Sequence, residues 1–401
     1  MNAFANSSAT KLGQESLSRG LVLLFAICCS AIVANLYYAQ PIIGLIAPSI
    51  GMHPEGAGLI VSLTQIGYAL GLLLLVPLAD LLENRRLMLL TTAAALVCLL
   101  GAGLASSPGL FLALSLLVGL SSVTVQMLIP LAAHLAPERT RGRVVGNIMS
   151  GLLLGILLAR PAASLIAGQF GWRAVFFVAA AMMAGIAMVV AVTIPRHEPA
   201  RRTSYGRLLA SLLDLLRRYS TLRRRALHQS LMFASFSLFW TVAPLELARH
   251  QGLDQGEIAL FALVGAIGAI AAPIAGRLAD AGHTRPASVA ALILAPLAFI
   301  ASLPIPGAGW VGLAICALLL DFAVQLNMVL GQRAVYALEP GSRARLNALY
   351  MTGIFLGGAL GSAIASPLYE SVGWHGVVVL GAALPGLALI GFLHAERRSR
   401  A

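Results

Sequence analysis

The sequence predicts an all-α integral membrane protein, with twelve transmembrane helices in two pseudo-symmetric six-helix bundles. Three observations predict it. Of the 401 residues, 59% are hydrophobic and 10% charged, against roughly 25% charged in an average soluble protein. The apolar residues fall in runs of about 18 or more, the length that crosses a bilayer at 1.5 Å per residue. The second half of the chain also repeats the first in register. So few charges cannot cover a soluble fold of this size, which argues against ordinary soluble enzymes and nucleic-acid binders. A β-barrel is excluded, because its strands would be about ten residues of alternating polarity.

Taken in order, the apolar runs are 21–47, 57–79, 87–105, 109–133, 144–169, 174–194, 227–248, 257–279, 287–304, 309–332, 346–369 and 376–394. Residues 1–20 are polar and lack a short apolar core with a small-residue cleavage site, so the first run is expected to serve as an uncleaved anchor. Residues 1–195 and 227–401 each hold six runs, joined by an arginine-rich linker, 196–226. Within it Leu208, Leu209, Leu212, Leu213, Leu215 and Leu216 share a helical face beside Arg207, Arg217 and Arg218. That pattern suits a helix lying in a headgroup layer rich in anionic lipid. Cys28, Cys29, Cys98 and Cys316 all sit inside apolar runs, too scattered for a metal site or disulfide framework. No cofactor or metal is expected.

Charge placement sets the topology. Lys+Arg number 27 and Asp+Glu 15, a formal net charge of +12. The basic residues gather on one side: Lys11 and Arg19, Arg85 and Arg86, the 139–143 turn, the linker, Arg277 and Arg285, Arg333, Arg343 and Arg345, and the tail. Arg173 and Arg249 fall on the other side, and Arg160 lies within a span. Basic residues concentrate at cytoplasmic ends, so both termini and the linker are expected inside. Orientation thus accounts for the basic excess without nucleic acid.

The repeat is specific. Leu78-Ala79-Asp80 followed by Arg85 returns as Leu278-Ala279-Asp280 followed by Arg285, and Arg141 and Arg143 return as Arg343 and Arg345. Gly151 and Gly155 map onto Gly353 and Gly357, and Gly171-Trp172 onto Gly373-Trp374. Two parallel six-span halves mark transporters that rock around a midplane site. Leu78-Ala79-Asp80 with Arg85-Arg86, and Gly276-Arg277-Leu278-Ala279-Asp280, resemble the G-x-L-A-D-R-x-G-R-R loop of the major facilitator superfamily. The first copy lacks both glycines and the first arginine of that pattern. The resemblance covers essentially the whole chain. Residues 34–41 (Ala-Asn-Leu-Tyr-Tyr-Ala-Gln-Pro) and 155–160 (Gly-Ile-Leu-Leu-Ala-Arg) further resemble its bacterial efflux branch, related to drug:proton antiporters.

The resemblance implies several placements. Asp80 would meet the start of span 11 with Arg343 or Arg345, and Asp280 the start of span 5 with Arg141 or Arg143. Such contacts, with Arg85, Arg86 and Arg285 beside them, would gate the cytoplasmic side. The stripes Gly151-Gly155-Ala159 and Gly353-Gly357-Gly361 allow close backbone approach. Since spans 5 and 11 lie between the halves in this family, the stripes are expected to form the sliding surface. The branch's usual Gly-Pro pair in span 5 is replaced near that place by Arg160-Pro161, and its span-4 arginine is absent between Phe111 and Pro130.

Ionisable residues inside a span cost at least about 2.5–3.5 kcal/mol on insertion, so each is a functional candidate. Asp321 in span 10 and Arg160 in span 5 lie at similar depth. We expect them to come within reach in one state, with Asp321 taking up and releasing a proton. The family places spans 1, 4, 7 and 10 around a cavity, which makes Asn35, Tyr37, Tyr38, Gln40, Gln126, Trp240, Glu246, Gln325 and Asn327 candidate solute contacts. Tyr37 and Tyr38 are adjacent, so at most one faces inward. The expected activity is proton-coupled efflux of a small organic solute by a monomer in a bacterial cytoplasmic membrane. Uptake or facilitated diffusion by the same fold is the alternative. No assembled catalytic set and no Gly-rich loop ending in Gly-Lys-Ser/Thr is present, so neither an enzyme nor an ATP-driven pump is expected.

Overall fold

The computed structural model describes residues 18–194, 196, 204–303 and 310–400; Lys11, Arg201 and Arg202 lie outside these residues. No β-strand occurs among the described residues. Nine helices among them are long and apolar enough to cross a membrane: Pro54–Asp80, Asn84–Leu104, Pro108–Leu135, Arg141–Phe170, Trp172–Thr193, Ser220–His250, Thr284–Ala301, Val311–Tyr336 and Pro340–Ala395. The last bends at Gly373 into two antiparallel spans, 343–372 and 374–400. Two further spans are broken helices. Span 1 runs Arg19–Ala34, a turn, Gln40–Ile42 and Ile43–Ser49; span 8 runs Gln255–Ala266, Ile267–Ile270 and Ala271–Asp280. Twelve spans result, six on each side of a linker helix, Tyr205–Arg218. Span 7 starts at Ser220, several residues earlier than the apolar run, because Leu222 and Ala226 already pack inward.

The sequence repeat is also a repeat of contacts. A Cβ on Gly155 would overlap the backbone of Ser30 in span 1, and one on Gly357 would overlap that of Ser230 in span 7; Gly151 meets Ala26 as Gly353 meets Ala226. Spans 5 and 6 part at Gly171 and spans 11 and 12 at Gly373, with φ of 81° and 72°. A side chain there would cost roughly 1–2 kcal/mol. Each glycine precedes a buried tryptophan, Trp172 against Phe111 and Phe176, and Trp374 donating to the Ser302 carbonyl at 3.2 Å.

These contacts correct one expectation. The stripes Gly151-Gly155 and Gly353-Gly357-Gly361 pack spans 5 and 11 onto spans 1 and 7 of their own halves. They cement each half; they are not the sliding surface. The halves meet instead through spans 2 and 11, where Gly58 abuts the Ser362 carbonyl, and through Gly44 against Leu245. Span 5 also touches span 8, at Gly168 and Gln255. All of these lie at the end opposite the linker helix, called here the far end. At the linker end the halves leave a cavity of about 180 Å³, lined by Asp80, Gln126, Pro130, His134, Leu212 and Arg345 among others.

The linker helix turns Leu208, Leu212 and Leu215 towards the protein and leaves Leu213 46% exposed. Its apolar face therefore covers the linker end of the bundles as well as facing any headgroup layer. Tyr205 donates to the Leu74 carbonyl of span 2 (2.9 Å), and Tyr219 donates to Glu339 between spans 10 and 11 (2.8 Å). Hydroxyls of Ser342 and Tyr219 on the Glu339 carboxylate hold it below the usual carboxylate range. A depressed carboxyl stabilises above its ordinary titration range, and that contribution is lost as pH falls through the depressed value. Docking of residues 205–219 should accordingly loosen on acidification. Hydrogen exchange of the linker helix should report this, and Tyr219→Phe should weaken the pH response; an unchanged response would refute the assignment.

Spans 2 and 4 are fastened by a second close approach. A Cβ on Gly67 would overlap the Leu116 carbonyl oxygen, and one on Gly119 that of Thr64. Both neighbours are helix backbone, which cannot step aside as a side-chain tip can. Gly119→Ala should therefore destabilise the first half by about 2–3 kcal/mol through overpacking. The unfolding midpoint in detergent should fall clearly, whereas Gly146→Ala, with open space around its Cβ position, should leave it in place.

Candidate functional site

Two helix irregularities flank one point, and span 4 has a third at Ser122 and Val123, where Ser122 accepts from Asn35. Span 1 tightens into turns over 35–39, and span 8 tightens over Ile267–Ile270. Non-helical backbone at membrane depth is tolerated where it is buried in protein or lines a cavity. The break in span 1 presents Tyr37 and Gln40; the glycines of span 8 let Asp321 approach its backbone. A Cβ on Gly265 would stand 2.7 Å from Asp321 Oδ2, and one on Gly268 2.6 Å from Asp321 Cβ.

At this point Arg160 of span 5 and Asp321 of span 10 meet, 3% and 8% exposed. Arg160 Nη1 lies 3.9 Å from Asp321 Oδ2, an ion pair too long for a hydrogen bond. Asp321 Oδ1 is held by Trp240 Nε1 at 2.7 Å, and Arg160 Nε donates to Gln40 Oε1 at 2.8 Å. The guanidinium lies 4.2 Å from the ring centre of Trp240, 5.0 Å from Phe236 and 5.3 Å from Tyr37. Cation–π attraction of this kind contributes about 2 kcal/mol when desolvated. Arg160 Nη2 and Gln40 Nε2 have no partner among the described residues, and each unmet buried donor costs about 1–3 kcal/mol. Chemically, the site is a buried, nearly neutral charge pair with spare N–H donors.

Of the nine residues expected to line the solute path, Tyr37, Gln40 and Trp240 gather around the pair. Tyr38 is buried without touching Arg160 through its ring. Asn35 bonds Ser122 (3.3 Å) and Met183 Sδ (3.5 Å) within the first half. Gln126 lies nearer the linker end, donating to Tyr68 (3.0 Å) and facing Asn347 (3.5 Å) across the halves. Asn327 donates to Gln229 of span 7 (2.7 Å), and Gln325 is half-buried. Glu246 sits at the far end, accepting from Tyr369 (2.6 Å) with His250 at 3.0 Å. Sequence reading passed over Phe236, Gln65, whose Nε2 donates to Ser237 across the halves (3.0 Å), and Gln229. Both amides interrupt apolar runs, which is a usable signal; Phe236 looks like any core residue.

The charges expected at the gate are arranged differently. Asp80 lines the linker-end cavity together with Arg345, whose Nη2 donates to Ser342 at 2.8 Å. Asp280 pairs with Arg333 of its own half instead of Arg141 or Arg143. Arg141 instead donates to the Ala133 carbonyl (3.0 Å), and Arg343 to that of Tyr336 (3.3 Å). The reason is spatial: with the linker-end cavity open, Asp280, Arg141 and Arg343 take partners within their own halves. Arg86, Arg143 and Arg285 are exposed and Arg85 half-buried.

Comparison with known proteins agrees with the geometry. The family model for the Major Facilitator Superfamily matches residues 23–308 and again 225–401. The chain is 40% identical over 382 residues to the uncharacterized transporter YgaY of Escherichia coli O157:H7, covering 94% of this chain and 95% of that protein. It is 32% identical to the probable transporter SCO4007 of Streptomyces coelicolor, over 90% and 84% of the two chains. The crystal structure of a D-xylose-proton symporter superposes with a TM-score of 0.74 at 14% identity, covering 93% of this chain and 96% of that one. Twelve spans in two repeated halves, a buried charge pair between them and full-length likeness to transporters lead to one assignment: the chain belongs to the Major Facilitator Superfamily and is a multi-pass membrane transporter.

Proposed function

We propose that this protein moves a small organic solute by alternating access, coupled to protons through Asp321 with Arg160 as its counter-charge. One observation carries the reading: the pair bridges the halves, span 5 to span 10. Any rocking of one half against the other lengthens or shortens it, so its charge state biases the conformational equilibrium. The moving bodies are 1–195 and 227–401, with 196–226 as the strap between them. The far end is closed in this conformer and the linker-end cavity is the entry; Asp80, Arg345 and Gln126 border that opening. Basic residues clustered at the linker end support a cytoplasmic location for it and for both termini, in a bacterial inner membrane. The protein acts as a monomer, since one chain contains both halves.

Export is the direction we favour, supported by the likeness of residues 34–41 and 155–160 to the efflux branch. The test uses membranes of both orientations. Labelled solutes should accumulate in response to an imposed pH difference, at a lower half-saturating concentration in everted vesicles, whose outer face is the cytoplasmic one. Accumulation that ignores the pH difference would reject the proposal.

A further inference from the structure

The geometry points to a small organic anion, a carboxylate in the first instance, as the ligand of the Arg160 site, bound together with one proton on Asp321. This deepens the proposed function and rests on the pair being the coupling site. The first argument is the kind of polar atom left unmet. Arg160 offers only donors, so its bond to Gln40 Oε1 fixes the orientation of that amide and makes Gln40 Nε2 a donor as well. Arg160 Nη2 and Gln40 Nε2, on side chains 3% and 0% exposed, are both without partners among the described residues. Two orphan N–H groups flank a single hydrogen bond. What they lack is acceptor oxygen, so a ligand that completes them brings acceptors.

Shape narrows the class. Trp240, Phe236 and Tyr37 surround the guanidinium, and their rings favour approach along its edge. A planar carboxylate meets an arginine edge through two parallel hydrogen bonds. Asp321 does not occupy that role, since its nearer oxygen stands 3.9 Å from Nη1 while Trp240 holds the other.

Charge balance then adds the proton. The empty pair is neutral, and an anion on Arg160 would leave one uncompensated negative charge in a buried site. The groups facing Asp321 are Arg160, Tyr37 from span 1, Trp240 from span 7 and Cys316 from its own span; span 8 brings Gly265 and Gly268. Tyr37 and Cys316 are neutral when protonated, and arginine does not release its proton. The carboxylate alone can restore neutrality, by taking one proton from water as the anion arrives. An organic cation has no such remedy: it would claim Asp321 and strand Arg160 as a buried charge that cannot be discharged. Solute and proton therefore travel together, without net charge, and an organic acid accumulated on one side leaves with its proton.

The test uses the purified full-length protein in detergent and four probes: benzoate, 4-hydroxybenzoate, hexanoate and naphthalene-2-carboxylate. Calorimetry at pH 8 in buffers of different ionisation enthalpy counts protons per anion bound. At least one probe should bind with uptake approaching one proton, and its affinity should fall about tenfold per pH unit across the pH range in which that uptake is seen. Asp321→Asn should bind it with no proton uptake and no pH dependence. Arg160→Gln should lose binding, Arg160→Lys should weaken it while keeping the uptake, and Gln40→Leu should weaken it about tenfold. No binding of any carboxylate, binding unaffected by Arg160→Gln, binding without proton uptake, or binding of tetraphenylphosphonium with proton release would each overturn the anion assignment. Those results would leave the coupling role of Asp321 standing, which is judged separately by transport of the Asp321→Asn protein.

Discussion

Asp321→Asn should reduce pH-driven accumulation of solute by about 100-fold while solute-for-solute exchange persists. Asparagine has nearly the same shape, and its carbonyl oxygen can still accept from Trp240 Nε1, now at 2.7 Å from the carboxylate. What it lacks is a proton to gain or lose, and a charge for Arg160. Removing one partner of a buried ion pair costs about 3–5 kcal/mol because the other charge stays behind. A bias of about 3 kcal/mol alters the balance between conformers about 100-fold, quite apart from the missing proton. The doubly neutral Arg160→Gln/Asp321→Asn protein isolates the stranded-charge effect: it should recover the thermal stability lost in the single variant. Reconstituted vesicles with a trapped pH dye, measured beside counterflow, provide both readouts; an Asp321→Asn protein that still concentrates solute along a pH difference would end the coupling proposal.

The parts of this molecule that could be read in the sequence are those written in residue type. An apolar run long enough to cross a bilayer has no place on the surface of a water-soluble fold, so the spans followed directly. Gly171-Trp172 and Gly373-Trp374 announced the repeat because a left-handed turn needs glycine and the following tryptophan fills the same slot in each half. Arg160 and Asp321 stood out because charge within an apolar run demands a reason. The harder parts depend on which face of a helix meets which neighbour. Gly151-Gly155 promised close approach, and close approach occurs, but to span 1 of the same half. Periodicity identifies a small-residue face without naming its partner. Asp280 likewise chose Arg333, one of several arginines at that end. Gln40 was legible as a polar group, and Pro41, which has no N–H to continue the helix, marks the break before it; the bond to Arg160 depends on where that break aims the side chain, which residue type does not give.

Gly58→Leu should arrest the cycle with the far end held open, lowering transport about 100-fold with little effect on folding. Gly58 opens the helix of span 2 at the far end, in the first half, and its Cα faces the Ser362 carbonyl of span 11 in the second. Even a Cβ there overlaps that oxygen, and it would stand 3.2 Å from Ser366 Oγ. Backbone cannot rotate away, so the halves must separate locally before a larger side chain is admitted. Overpacking of this kind costs about 1–3 kcal/mol, and the upper end of that range changes a two-state population by about 100-fold. The cost falls on one conformer only, since the contact disappears when the far end opens. That distinguishes Gly58 from Gly67 and Gly119, which join spans 2 and 4 inside one half and are packed alike throughout the cycle. Spin labels at Glu55 and Val372, both exposed at the far end, can follow the opening, because all four native cysteines are buried. The distance between the labels should lengthen in the leucine protein, while Gly109→Ala, with open space around its Cβ position, should leave it unchanged. A Gly58→Leu protein with native distances and native transport would show that spans 2 and 11 do not form the closing contact.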